Sequence, residues 1–164
     1  MKLKKSLMLF AICFAFISLL SFNACTPKGT GGTITVIILN QSSAAIFEKE
    51  FTTGQTTLYK ALGECEELEI SATFSFAGAF LNGIAVRTVE EGAGGIYYFN
   101  KTAEMRAAGN SFIAVYHDID DIKYKDSYMS DLIYNSKTYF ASGWGVSSLP
   151  VYNGVTYILR LESL

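Results

Sequence analysis

The stretch Glu69-Ile-Ser-Ala-Thr-Phe-Ser-Phe76 alternates at every step. Ile70, Ala72, Phe74 and Phe76 fall in one phase, and Glu69, Ser71, Thr73 and Ser75 in the other. Side chains of a strand point to opposite faces with a period of two, so this pattern predicts a half-buried β-strand. Just beyond it, Leu81-Asn-Gly-Ile84 places Asn-Gly between two strand-like runs and predicts a hairpin turn. Tyr152-Asn-Gly-Val155 is a second such turn and leads into a last strand. There Val155, Tyr157, Leu159 and Leu161 share a face opposite Thr156, Arg160 and Glu162.

The remaining segments agree with an all-β chain. Thr33–Leu39 is β-branched and nearly continuous, the mark of a strand covered on both faces. Phe112–His117 follows a Gly109-Asn110 turn. Shorter strand candidates are Ile46–Phe51, Thr56–Leu62, Ile96–Phe99, Asp131–Tyr134 and Lys137–Ser142. One short helix is expected near 101–108, capped by Asn100 and ended by Gly109. Without long helical crossovers a parallel α/β sheet is not expected, and the expectation is a single antiparallel β-sandwich of about 8–10 short strands over residues 33–164.

The first residues have a different character. Lys2, Lys4 and Lys5 precede the predominantly apolar run Leu7–Leu20, and Ala24-Cys25 follows. A run of 14 residues is shorter than the about 20 that a membrane span needs, and the layout is that of an export signal. Ser21-Phe22-Asn23-Ala24-Cys25 resembles a bacterial lipoprotein lipobox at Ala24 and Cys25, while Phe22 and Asn23 depart from the usual pattern. The resemblance implies cleavage after residue 24 and acyl chains, palmitate among them, on Cys25. It places the protein in the bacterial cell envelope, lipid-anchored at the outer membrane. Residues 25–32, with three glycines and a proline after the cysteine, then read as a flexible tether. Thr33–Leu39 with Asn40-Gln-Ser-Ser43 also loosely resembles the first strand and turn of immunoglobulin-like modules.

Composition narrows the function. Three of the 13 basic residues precede residue 24, against 15 acidic ones, which leaves the mature chain at about −5 and argues against nucleic acid and against electrostatic docking on anionic lipid. Cys13 leaves with the signal and Cys25 is acylated in this reading, so Cys65 has no intramolecular disulfide partner.

The candidate chemistry is sparse. Cys65 sits in Gly63-Glu-Cys-Glu-Glu-Leu-Glu69, where four glutamates oppose a thiolate, and its one conceivable base is His117, the only histidine. His117-Asp-Ile-Asp-Asp-Ile-Lys-Tyr-Lys-Asp126 gathers four carboxylates. It lacks the spacing of a calcium loop, and a zinc site would want further ligands. Gly92-Ala-Gly-Gly95 precedes a strand candidate rather than a helix, and so reads as a mobile hairpin turn. Tyr97, Tyr98, Tyr139 and Trp144 are candidates for a binding surface, because neighbours such as Tyr97 and Tyr98 cannot both enter one core.

The expected function is therefore that of a non-enzymatic binding or structural module with no cofactor, anchored through Cys25. Its partner is a protein or glycan. The alternatives are a hydrolase or weak metal binder built on Cys65 and His117 or on the acids Asp118–Asp126, and an inhibitor or periplasmic assembly partner.

Overall fold

The computed structural model describes residues 28–163 except 77, 92, 96, 126 and 127, and gives the backbone alone at 89, 97 and 98. The described residues are all-β, with one short helix. Strands β1 (Gly32–Leu39), β2 (Ala45–Thr53), β6 (Ser111–His117), β7 (Leu132–Tyr134), β8 (Lys137–Ala141) and β9 (Thr156–Ser163) form one sheet in the order β2-β1-β9-β6-β8-β7. Strands β3 (Leu68–Ser75), β4 (Gly78–Glu91) and β5 (Tyr97–Arg106) form the other, in the order β3-β4-β5. Helix α1 (Leu58–Glu64) bridges β2 and β3.

The core lies between the sheets. Ile34, Val36 and Ile38 of β1, with Val115, Tyr157 and Leu159, face Leu81, Ile84, Val86 and Met105 of the small sheet. The opposite face of the large sheet is apolar as well. There Ile37, Leu39, Tyr116 and Ile158 pack with Leu132, Tyr139 and Met129, so the β7–β8 hairpin and the segment before it curl over that face. This double covering explains why Thr33–Leu39 reads as a continuous apolar run.

Several sequence expectations need correction. The sandwich is not wholly antiparallel, because β1 pairs with β9 in parallel, Thr35 opposite Thr156 through Leu39 opposite Arg160. The region 101–108 is no helix. Through Arg106 it continues β5, whose ladder to β4 supplies the hydrogen bonds that a helix would have made internally. Leu58–Glu64, which overlaps the strand candidate Thr56–Leu62, is the helix instead, and it buries Leu58, Ala61 and Leu62. Asn82-Gly83 makes a β-bulge rather than a hairpin turn: Ser71 pairs with Gly83 and Ala72 with Leu81, and Asn82 is the extra residue. Glycine fits there because a Cβ would stand 3.0 Å from Ser71 Oγ. Asn153-Gly154 does form a turn, with Gly154 at φ +80°.

Gly29–Gly32, counted with the tether from sequence, is docked on the body. Gly29 is buried, and a Cβ on it would stand 2.3 Å from Thr56 O and 2.4 Å from Val151 N. The N–H groups of Thr30 and Gly31 both donate to Val151 O, at 2.8 and 3.1 Å. Residues 1–27, including Cys25, lie outside the described residues.

Gly29→Ala therefore lowers the unfolding free energy by about 2 kcal/mol or more through overpacking. Gly63→Ala, where a methyl meets nothing within 4 Å, raises it by about 0.5 to 1 kcal/mol through helix propensity. Urea unfolding of both variants checks the pair, and two small shifts of like sign would contradict a packed residue 29.

Candidate functional site

His117 ends β6 and is completely buried. Its Nδ1 accepts the Ile119 N–H at 3.2 Å, and Nε2 donates to Tyr124 O at 2.9 Å, an arrangement that fits the neutral ring. Burial lowers its pKa below the ordinary 6.5, against weaker opposing effects of the Tyr124 carbonyl and Asp118. Cys65 follows α1, and its thiol reaches Glu67 Oε2 at 3.4 Å. Burial, then the hydrogen bond to Glu67, pushes the thiol pKa up to about 11. Glu67 is itself paired with Lys49. No hydrogen bond joins Cys65 to His117, and each has other partners, so the sequence-derived couple does not form. A thiol held protonated is also a poor nucleophile.

The acidic segment is neutralised locally. Asp118 pairs with Lys137 at 2.6 Å and accepts the Thr156 N–H at 2.8 Å, which ties the end of β6 to the start of β9. Asp120 pairs with Lys125, and Asp121 with Lys123. Asp121 also accepts the Lys123 N–H that opens the 3-10 turn Ile122–Tyr124. Asp126 lies outside the described residues. Among the described residues no three His, Cys, Asp or Glu side chains stand together as a metal site would require.

The tyrosines are largely structural. Tyr139 is 6% exposed and belongs to the outer apolar cluster, which removes it from the expected binding surface. Its neighbour in sequence, Phe140, meets the Lys125 ammonium 3.6 Å from the ring centroid. Tyr157 is fully buried and donates to Pro150 O at 2.6 Å, and burial raises its pKa. The side chains of Tyr97 and Tyr98 lie outside the described residues. Trp144 is half-buried, set edge-on to Tyr124, with Nε1 donating to Lys123 O at 2.6 Å.

Trp144 does line a cleft. A cavity of about 170 Å³ opens between β4, β6 and the loop 142–146, walled by Phe80, Leu81, Phe112, Met129, Trp144 and Val146. No charged side chain lines it. A shallower cleft of about 420 Å³ adjoins it, sharing Phe112 and Met129 and adding Tyr116, Asp131, Arg160 and Glu162. Here Tyr116 donates to Glu162 Oε1 at 2.6 Å, and Arg160 Nε stands 3.1 Å from the same oxygen. Burial, then the bond to Glu162, raises the Tyr116 pKa. Sequence reasoning missed this junction, because Phe112, Met129 and Trp144 come from distant segments and carry no shared periodicity.

The chain matches no protein-family model. It matches no curated protein either. Among solved structures it is similar to a protein from Ruminococcus gnavus to which metal binding is ascribed. The two are 12% identical with a TM-score of 0.49, over 81% of this chain and 98% of that one.

The buried His117 makes stability pH-dependent in a definite direction. With the folded pKa depressed, protonation favours the unfolded chain. The contribution is complete above pH 6.5 and is lost as pH falls below it, by up to about 1.4 kcal/mol per unit until the folded-state pKa is reached. Urea midpoints taken between about pH 7.5 and about pH 5.5 therefore decline more steeply for the native chain than for His117→Asn. Parallel declines would contradict a neutral, buried ring.

Proposed function

We propose that this protein is a non-enzymatic binding module of the bacterial envelope, held at the outer membrane by acyl chains on Cys25, and that its partner is a polypeptide. The observation that carries the reading is the pair of clefts meeting at Phe112 and Met129. One is an apolar pocket without a charged group, and the other a shelf bearing Arg160, Glu162 and Asp131. An apolar side chain in the first and a polar backbone across the second is what a peptide segment offers. A glycan would want several polar groups inside the pocket, and the walls offer one hydroxyl, that of Ser142, besides backbone.

The non-enzymatic part rests on the environments of His117 and Cys65, the one nucleophile–base couple that the sequence offers. General acid–base work needs a titratable group within hydrogen-bond reach of a substrate. His117 is buried with both ring nitrogens engaged, and the Cys65 thiol is buried and protonated. The anchoring part rests on the lipobox-like segment ending at Cys25.

A photo-reactive residue at Phe112 in living cells is expected to give one discrete protein adduct, absent when the same residue replaces the exposed Ile133. Phe80→Asp, at a pocket wall position that is 51% exposed, should lower the adduct yield on the order of tenfold while the unfolding curve stays near native, as loss of an interface anchor does. Adducts at both positions, or at neither, would overturn the binding site. A mature chain whose intact mass shows an unmodified start would overturn the anchor.

A further inference from the structure

The end of the fold that grips Gly29 also displays three exposed phenylalanines, among them Phe76, the most exposed large apolar side chain among the described residues. Gly29 is clamped by Thr56 and Val151, which are joined by a 3.1 Å hydrogen bond from Val151 N to Thr56 O. The clamp continues into α1, where Leu58 N donates to Leu149 O and Tyr59 N to Val146 O, both at 2.9 Å. Tyr59 then meets Phe74 edge-on, with centroids 5.3 Å apart. The tip of the β3–β4 hairpin rests on the same loop: Ala79 N donates to Ser147 Oγ at 2.8 Å, and Val146 N to Ala79 O at 2.9 Å. Tether exit and hairpin tip are thus two parts of one packed unit.

That tip carries Phe74 at 63%, Phe76 at 106% and Phe80 at 51% exposure. No charged residue lies between Glu69 and Arg87 in the hairpin, between Glu50 and Lys60 in the clamp, or between Lys137 and Arg160 in the loop. The charges bordering the clamp are mixed: Lys28 before Gly29 and Lys60 after Tyr59 are exposed cations, while Glu50 precedes the segment and Glu64 accepts from Thr53 and Gln55. Phe74 pairs with Ala79 and Phe80 with Thr73, so the two rings project from opposite faces of the hairpin, with Phe76 at the turn. A protein partner meets one face of a hairpin, whereas a lipid phase surrounds it.

Chain length supplies the proximity. Four peptide units separate Cys25 from Gly29, a reach of at most about 14 Å. Resting on the anchored reading above, we propose that the β3–β4 hairpin tip is a membrane foot, with Phe74, Phe76 and Phe80 seated in the headgroup–acyl boundary of the bilayer that holds Cys25. Aromatic rings favour that boundary, and the neighbouring lysine side chains suit its phosphates. A tip seated in this way would fix the orientation of the body and set the Phe80 side of the apolar cleft close to the lipid surface.

The test uses the full chain, processed in cells and reconstituted in vesicles of phosphatidylethanolamine and phosphatidylglycerol that contain spin-labelled lipid. Phe76→Cys carries an environment-sensitive fluorophore. The reference is Ser42→Cys, exposed in the turn at the far end of β1 from Gly32. The buried Cys65 thiol stays unlabelled in the folded chain. The expected result is co-flotation with the vesicles, with quenching at position 76 at least about twofold that at 42, as for a probe within the interface. Equal quenching at the two sites in a chain that still co-floats would overturn the foot alone. Failure to co-float would overturn the anchor and the foot together. Phe76→Ser with the probe moved to Ser75→Cys gives a second reading: its quenching should fall toward that at position 42, and undiminished quenching there would also overturn the foot.

Discussion

The fold depends on one strand being hidden from water on both sides. β1 places Ile34, Val36 and Ile38 into the inter-sheet core and Ile37 and Leu39 into the outer cluster. It also pairs with β2 along one edge and with β9 along the other. From Val36 to Leu39 the strand leaves no solvent-facing row, and burial there contributes through every side chain rather than every second one. The parallel pairing with β9 also sets the first strand beside the last, so the large sheet cannot complete until β9 is available. Most of the other arrangements serve that geometry. The β7–β8 hairpin covers the outer face, the small sheet covers the inner one, and α1 plugs the end beside Gly29.

The strand-rich class was legible because its signals are local. The alternation in 69–75 matches buried Leu68 and half-buried Ile70 and Ala72 against exposed Glu69, Ser71 and Thr73. It misleads at Phe74 and Phe76, which share the inward phase but lie where the hairpin overhangs the core, so neither is enclosed, although Tyr59 packs edge-on against Phe74. The same limit explains the other differences. Thr56–Leu62 carries β-branched and apolar residues, yet the docking of Leu58 and Tyr59 on the loop 146–149 makes a helix of it. Asn-Gly at 82–83 serves close approach instead of chain reversal, because Met105 O and Ser71 Oγ crowd the glycine. The β1–β9 pairing spans the length of the domain and leaves no short-range trace.

The candidate site was less legible. Types of residue could be read along the chain, and their environments could not. Tyr139 and Trp144 look alike as aromatic residues in a strand-rich half, but one fills the outer cluster while the other rims a cleft. Asp118, Asp120 and Asp121 resemble a ligand set until each is found facing a lysine. Phe112 and Met129 carry no sequence signal of recognition, and their importance comes from the corner where two sheets and a loop meet.

The glycine-rich connection between β4 and β5, with Gly94 at φ +85° and Gly95 at +75°, carries a consequence for chain continuity. A backbone cut at Ala93–Gly95 would sever the polypeptide into halves that are interleaved rather than stacked. The first half supplies β1 to β4 and the second β5 to β9, so each sheet is shared between them through the β1–β9 and β4–β5 ladders. Neither half owns a complete sheet, and each is the template for the other, so two separately made pieces should reassemble into one working body.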